Sequence, residues 1–165
     1  MSSTDEQDPY RKLRPEGPTP ADEVCKCADS PPLVLVERLS ALPIACMSCK
    51  GEVPPETVGF PQDLAERVAS WRNLHRALHT LWLDSAEYEA WARQQLEDQN
   101  GPINIRGRSI VQELNRYRST YYWWFQDQSV RDFVPRVDCP SCGRGLLKRY
   151  RYDVCEPCSI VLAQE

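Results

Sequence analysis

The chain has 165 residues, 41% of them hydrophobic, enough for one ordinary core or a core with a small satellite module. No window approaches the roughly 18 apolar residues of a membrane-spanning helix, so neither a span nor a membrane partner is expected. The formal charge of -4 excludes a uniformly basic nucleic-acid binder, but it conceals an asymmetry. Residues 1–102 carry 10 Lys+Arg against 17 Asp+Glu, whereas residues 103–152 carry 10 against 4.

Residues 1–24 are polar and proline-rich, with no apolar region of the kind a signal peptide carries. They read as a disordered tail, and the protein is expected in the reducing cytoplasm. Residues 25–60 read as an N-terminal zinc-binding ribbon. In it Leu33 to Leu39 forms a β-branched and leucine-rich strand, Ser40 to Pro43 a turn, and a second short strand leads into Cys46. Pro- and Gly-rich residues 51–61 form a linker.

Residues 61–134 read as a helical centre with an aromatic strand. From Gln62 to about Leu83 apolar residues recur at three- and four-residue steps, through Leu64, Val68, Trp71, Leu74 or His75, Leu78 and Leu81 or Trp82. Asp84 and Glu87 fit a capping box that opens a second helix running to about Leu96. Asn104 is placed to cap a third, from Arg106 to about Tyr117, with the stripe Ile110, Val111 and Leu114. Thr120 to Phe125 is aromatic at alternating positions, as a strand buried on both faces would be. Residues 135–165 read as a C-terminal zinc ribbon built on a hairpin from Leu146 to Val154.

Eight cysteines decide the chemistry. They fall into four close pairs, Cys25/Cys27, Cys46/Cys49, Cys139/Cys142 and Cys155/Cys158. In a reducing compartment thiols stay free unless a metal holds them, and a tight turn that aims two thiolates at one ion needs this spacing. The C-terminal quartet is a regular CxxC…CxxC. Twelve residues separate its halves, which suffices for a hairpin that brings both knuckles to one tetrahedral ion. Four thiolates close the coordination sphere, so the site is structural. Zinc is expected, with iron in a four-thiolate site as the alternative. The N-terminal quartet combines CxC with CxxC across eighteen residues and is expected to hold a second zinc, giving two per chain; the competing reading leaves Cys25 or Cys27 in the tail and three ligands at the ion.

Several segments resemble a known family: Pro43 to Cys49, Ser70-Trp71, Leu81 to Ser85, Glu87 to Glu89, Gln95-Leu96, Asn104 to Arg108, Thr120 to Phe125 and the closing Cys139 to Gly143. Over roughly residues 33–160 the chain is similar, in the same order, to a bacterial family of uncharacterised zinc-ribbon-containing proteins to which nucleic-acid binding is ascribed. The resemblance implies the zinc content and the fold, and it implies nucleic acid as partner.

Other groups offer chemistry less directly. His75 and His79, four apart, have metal-ligand spacing but no HExxH glutamate, and read as the flank of an amphipathic helix. Asp84, Glu87 and Glu89 read as helix-start charges. The run Lys148-Arg149-Tyr150-Arg151-Tyr152, with Arg144 at a hairpin tip, reads as a basic strand interleaved with aromatics. Arg144, Lys148, Arg149, Tyr150 and Arg151 are the candidate nucleic-acid contacts, cations for phosphates and a ring for stacking; the competing reading is a solvated ribbon face. No nucleophile elbow, P-loop, dinucleotide fingerprint or acid/base dyad occurs, so no catalytic residues and no enzyme are expected. The expectation is an α+β protein whose central helices and aromatic strand are flanked by two four-cysteine zinc ribbons. It serves as a zinc-stabilised binding module for nucleic acid or, alternatively, as a protein–protein adaptor; an enzyme using the helical centre ranks last.

Overall fold

Strand Leu33–Leu35 (β1) is apolar at every position, because both of its faces are covered. In the computed structural model, which describes residues 8–13 and 19–163, it pairs antiparallel with Ile44–Cys46 (β2) and parallel with Thr120–Trp123 (β3). Leu147–Arg149 (β4), Tyr152–Cys155 (β5) and Ile160–Ala163 (β6) complete one six-stranded sheet of order β2-β1-β3-β6-β5-β4, in which β1, β3 and β6 run parallel. The two ribbons are therefore the two wings of a single sheet, joined through the aromatic strand.

Alternation along the strands sorts the core into two layers. Leu33, Leu35, Ile44, Tyr122, Ile160 and Leu162 face the helices Gln62–Asp84 (α1), Glu89–Glu97 (α2) and Pro102–Leu114 (α3). Val34, Ala45, Tyr121, Val154 and Val161 form a second buried cluster on the other face. Helix α1 buries Leu64, Val68, Trp71 and His75 at helical spacing, and α3 buries Ile103, Gly107, Ile110, Val111 and Leu114. Among the described residues no helix is long and apolar enough to cross a membrane.

Several expectations are corrected. Part of the tail is core: Tyr10 and Leu13 are buried, Tyr10 donates to the carbonyl of Phe60, and the Leu13 carbonyl accepts from Arg72 at 2.9 Å. Residues 1–7 and 14–18 of that tail lie outside the described residues. The expected capping box does not form: Asp84 is the last residue of α1, Ser85 closes that helix onto Leu81, and Tyr88 precedes α2 without a side-chain cap, while the Glu89 carboxylate accepts from the Ala86 N–H at 3.2 Å. Ala86 takes a positive φ of 53°, which breaks the helix there. Helix α3 starts four residues early because Pro102 suits a first helical turn. That frees Asn104 for another role: buried, it donates to the carbonyls of Leu96 and Asp98 and accepts from the Tyr122 hydroxyl. Strand β6, on the apolar run Ile160-Val161-Leu162, adds to the elements expected from the sequence.

Candidate metal centres

Each cysteine quartet is assembled by backbone turns that repeat one device. After each CxxC the next residue takes a left-handed conformation: Lys50 at φ 63°, Gly143 at 70° and Ser159 at 50°. In two of the three the N–H of that residue closes onto the first cysteine, Lys50 onto the Cys46 carbonyl and Gly143 onto that of Cys139, both at 2.9 Å. Backbone N–H groups also face sulfur, from Gly51 to Cys49 and from Ser141 to Cys139, each at 3.4 Å. Such donors stabilise thiolates.

The irregular CxC half is held by main-chain bonds. Cys25 donates to the Glu52 carbonyl at 2.8 Å and Glu52 to that of Glu23 at 2.7 Å, so the CxC segment lies along the chain that leaves the knuckle. This close approach requires glycine at position 51, where a Cβ would sit 2.9 Å from the Cys25 nitrogen.

The result is two groups, Cys25/Cys27/Cys46/Cys49 and Cys139/Cys142/Cys155/Cys158, each with its four sulfurs within 4.8 Å of one another. Cys142 and Cys155 approach to 3.6 Å. A tetrahedral ion about 2.3 Å from each sulfur requires sulfur–sulfur edges of about 3.8 Å. The donor sets fit, and each group can hold one metal ion. The N–H of Arg144 holds the Cys142 thiol down at about 7, while burial pushes Cys155 far up. A bound cation removes that conflict by deprotonating the ligands.

Position matters as much as geometry. Cys46 pairs with Leu33, the first residue of β1, and Cys155 with Ile160, the first of β6. Because β1 and β6 are parallel, both groups lie at the same end of the sheet, and both border the helix-side core. Four strand spacings separate β2 from β5, about 19 Å. Quartets near opposite ends of the chain thus become neighbours in space.

The five candidate nucleic-acid residues do not form one strip. Tyr150 and Arg151, at φ 50° and 68°, make the two-residue turn between β4 and β5, so the expected basic strand folds back on itself. Arg144 sits at the opposite end of that hairpin, its carbonyl accepting from Cys139. Lys148 pairs with Asp153 at 2.6 Å; Arg149 pairs with Glu156 at 2.7 Å and donates to the Tyr121 hydroxyl. The Arg149 guanidinium lies 5.5 Å from the Tyr150 ring centroid.

The histidines join neither metal group. His75 is buried rather than on the flank, 5.1 Å from Trp71, and His79 stacks on Trp82 at 5.3 Å. Desolvation lowers the His75 pKa to about 3, so the imidazole is neutral.

Sequence reasoning missed two features. One is the buried Glu37 carboxylate, which takes Arg72 and Arg76 at 3.4 and 3.1 Å and fixes the 39–41 loop. The other is an exposed shoulder at the end of the sheet away from the cysteine groups, where α1 gives way to α2. Leu83, Tyr88 and Trp91 are 50%, 55% and 50% exposed there. Beside them runs a cleft of about 450 Å³ with Trp82, Ala90, Arg93, Asp127 and Val130 among its walls. The clustered apolar residues at 81–91 were the available signal.

Comparison with family models, with curated proteins and with solved structures finds no match to this chain.

Proposed function

We propose that the chain is a non-catalytic, zinc-stabilised module whose task is to bind another protein. Zinc is the natural occupant of two all-thiolate tetrahedral sites, and such closed sites supply folding free energy rather than chemistry. The observation that carries the protein-binding reading is the α1–α2 shoulder. It shows three large apolar side chains at half exposure within nine residues, one of which, Leu83, lines a cleft, and apolar groups gathered beside a concavity are what an interface core uses.

Charge supports the same choice. Eight thiolates outweigh two divalent ions by four charges, taking the formal -4 of the chain to -8 when both sites are filled. Two of the candidate phosphate-binding cations are already paired to carboxylates. A second reading, nucleic-acid binding, rests on the hairpin turn that presents Tyr150 beneath Arg149 and leaves Arg151 exposed. It is also the activity ascribed to the family that the sequence resembles.

One retention experiment separates the readings. The zinc-loaded full chain is immobilised, exposed to an extract of its source cells, and whatever it retains is purified and titrated back. A protein whose affinity falls at least tenfold with Trp91→Ser, zinc content unchanged, is the expected result. Retention of RNA or DNA alone, lost steeply with salt and with Arg151→Ala, would replace the reading with the second. Retention of neither would remove both.

A further inference from the structure

The shoulder and the β4–β5 hairpin are opposites in charge and in shape. Around the α1–α2 junction, residues 84–93 carry the carboxylates of Asp84, Glu87 and Glu89 against the single cation of Arg93, which already faces Asp127 at 3.5 Å. All three carboxylate residues are exposed. Residues 147–151 carry Lys148, Arg149 and Arg151; Asp153 and Glu156 offset the first two, which leaves the exposed Arg151 as the cation of the hairpin without a carboxylate partner among the described residues. Their ion pairs leave most of the Lys148 side chain and two-fifths of that of Arg149 facing outward. Both surfaces also carry exposed apolar groups, Leu147 at 66% and Tyr150 at 43% on the hairpin, against Leu83, Tyr88 and Trp91 on the shoulder.

In shape, β4 is the sheet's edge strand, exposed at all three residues and ending in a two-residue turn. It is a narrow ridge. The shoulder, with its cleft about 450 Å³ in volume, is concave. An edge strand that carries an exposed leucine invites pairing with another chain unless something covers it.

The two surfaces also share one end of the molecule. Tyr152, just after the turn, pairs with Ala163, the last residue of β6, so the hairpin tip points away from the cysteine groups. Trp82 of the shoulder packs 4.9 Å from Phe125, just beyond the last residue of parallel β3. A second copy related by a two-fold axis at this end can place its hairpin in the first copy's cleft while receiving the first copy's hairpin in its own. Each contact is then used twice and the assembly closes.

We propose that the occupant of the shoulder is a second copy of this chain, with the β4–β5 hairpin of each protomer seated in the α1–α2 cleft of its partner. The inference rests on the protein-binding reading and names the partner. Its attraction is between exposed charges, so it is strongest at low salt and weakens as the screening length shortens.

The test uses the zinc-loaded full chain in sedimentation equilibrium, with zinc content and circular dichroism as controls for folding. With rising concentration at low salt the mass should climb from 19.0 kDa to twice that, and it should fall back in about 1 M salt, where screening acts over about 3 Å. Arg151→Glu and Glu87→Lys should each weaken association at least tenfold. The two variants mixed should pair with one another, because both contacts of the mixed dimer regain opposite charges. Neither side chain makes a hydrogen bond or ion pair among the described residues, so folding is expected to survive. A wild type that stays monomeric overturns the proposal, as does a dimer indifferent to both reversals or a mixture that fails to pair. A monomer that still retains a foreign protein through Trp91 overturns this proposal alone and leaves the binding-module reading standing.

Discussion

His75 lies one helical turn from Trp71 and one from His79, inside the core. Its Nδ1 has no hydrogen-bond partner among the described residues, and burial lowers its pKa from 6.5 to about 3. The folded state therefore holds the ring neutral, while the unfolded chain takes up a proton below pH 6.5. Stability is full above that value and declines as pH falls toward 3, by up to about 1.4 kcal/mol per pH unit from this group. Urea midpoints at pH 7, 6 and 5 should fall more steeply for the wild type than for His75→Leu. Thiolate protonation acts on both proteins and cancels in the comparison. Parallel declines would mean that His75 is solvated. In the sequence the His75/His79 pair was visible as a spacing, but not its burial, because α1 is wide enough in apolar residues to leave the buried arc ambiguous.

Gly107 lets helix α3 approach Tyr122 of the sheet closely. A Cβ at Gly107 would lie 2.2 Å from Cε2 of Tyr122 and 2.9 Å from Nε1 of Trp71. Alanine brings up to about 1 kcal/mol of helix propensity. It must also displace two packed rings, one of which donates its hydroxyl to Asn104, and overpacking of this kind costs about 1–3 kcal/mol. Steric cost wins, so Gly107→Ala should lower the melting temperature despite its better propensity. Gly145→Ala, whose added Cβ meets nothing within 4 Å, should stay within about 0.5 kcal/mol of the wild type. Equal melting temperatures for the two variants would refute the close approach. At this scale α1 was legible from period alone and the start of β1 from its apolar run, but the strand ends at Leu35 and not at Leu39, where a positive φ and the Glu37 carboxylate bend the chain. The start of α3 and the break at Ala86 were not, because each depends on bonds that a local pattern does not reveal.

On the scale of the whole molecule, the two cysteine groups stabilise one sheet rather than two modules. Cys46, Cys139 and Cys155 belong to the same buried cluster as Trp71 and Trp124. Elemental analysis should return two zinc ions per chain, and Cys142→Ser should return one. Since the metal contributes folding free energy directly, losing it at the C-terminal site should also lower the melting temperature seen by tryptophan near-ultraviolet dichroism. All five tryptophans lie outside the C-terminal ribbon, between Trp71 and Trp124. A tryptophan transition unchanged in Cys142→Ser would show two independent ribbons instead.

Spacing alone determined how the cysteines group. Cysteines two or three residues apart are held close together by the backbone, in a turn for CxxC and on one side of an extended segment for CxC, so their pairing is local and readable. The mixed α+β class was local too, since helical period and continuous apolar runs are set by the covered faces of each element. Only the tertiary structure decided that both cysteine groups share one end of one sheet, because the parallel pairing of β1, β3 and β6 joins residues about 85 and 40 apart along the chain. It also decided what the basic run is. Arg149 and Lys148 acquire carboxylate partners, and Tyr150 and Arg151 become a turn, through pairing with β5. A charge count along the chain registers neither, because ion pairs and hairpin turns are made across strands.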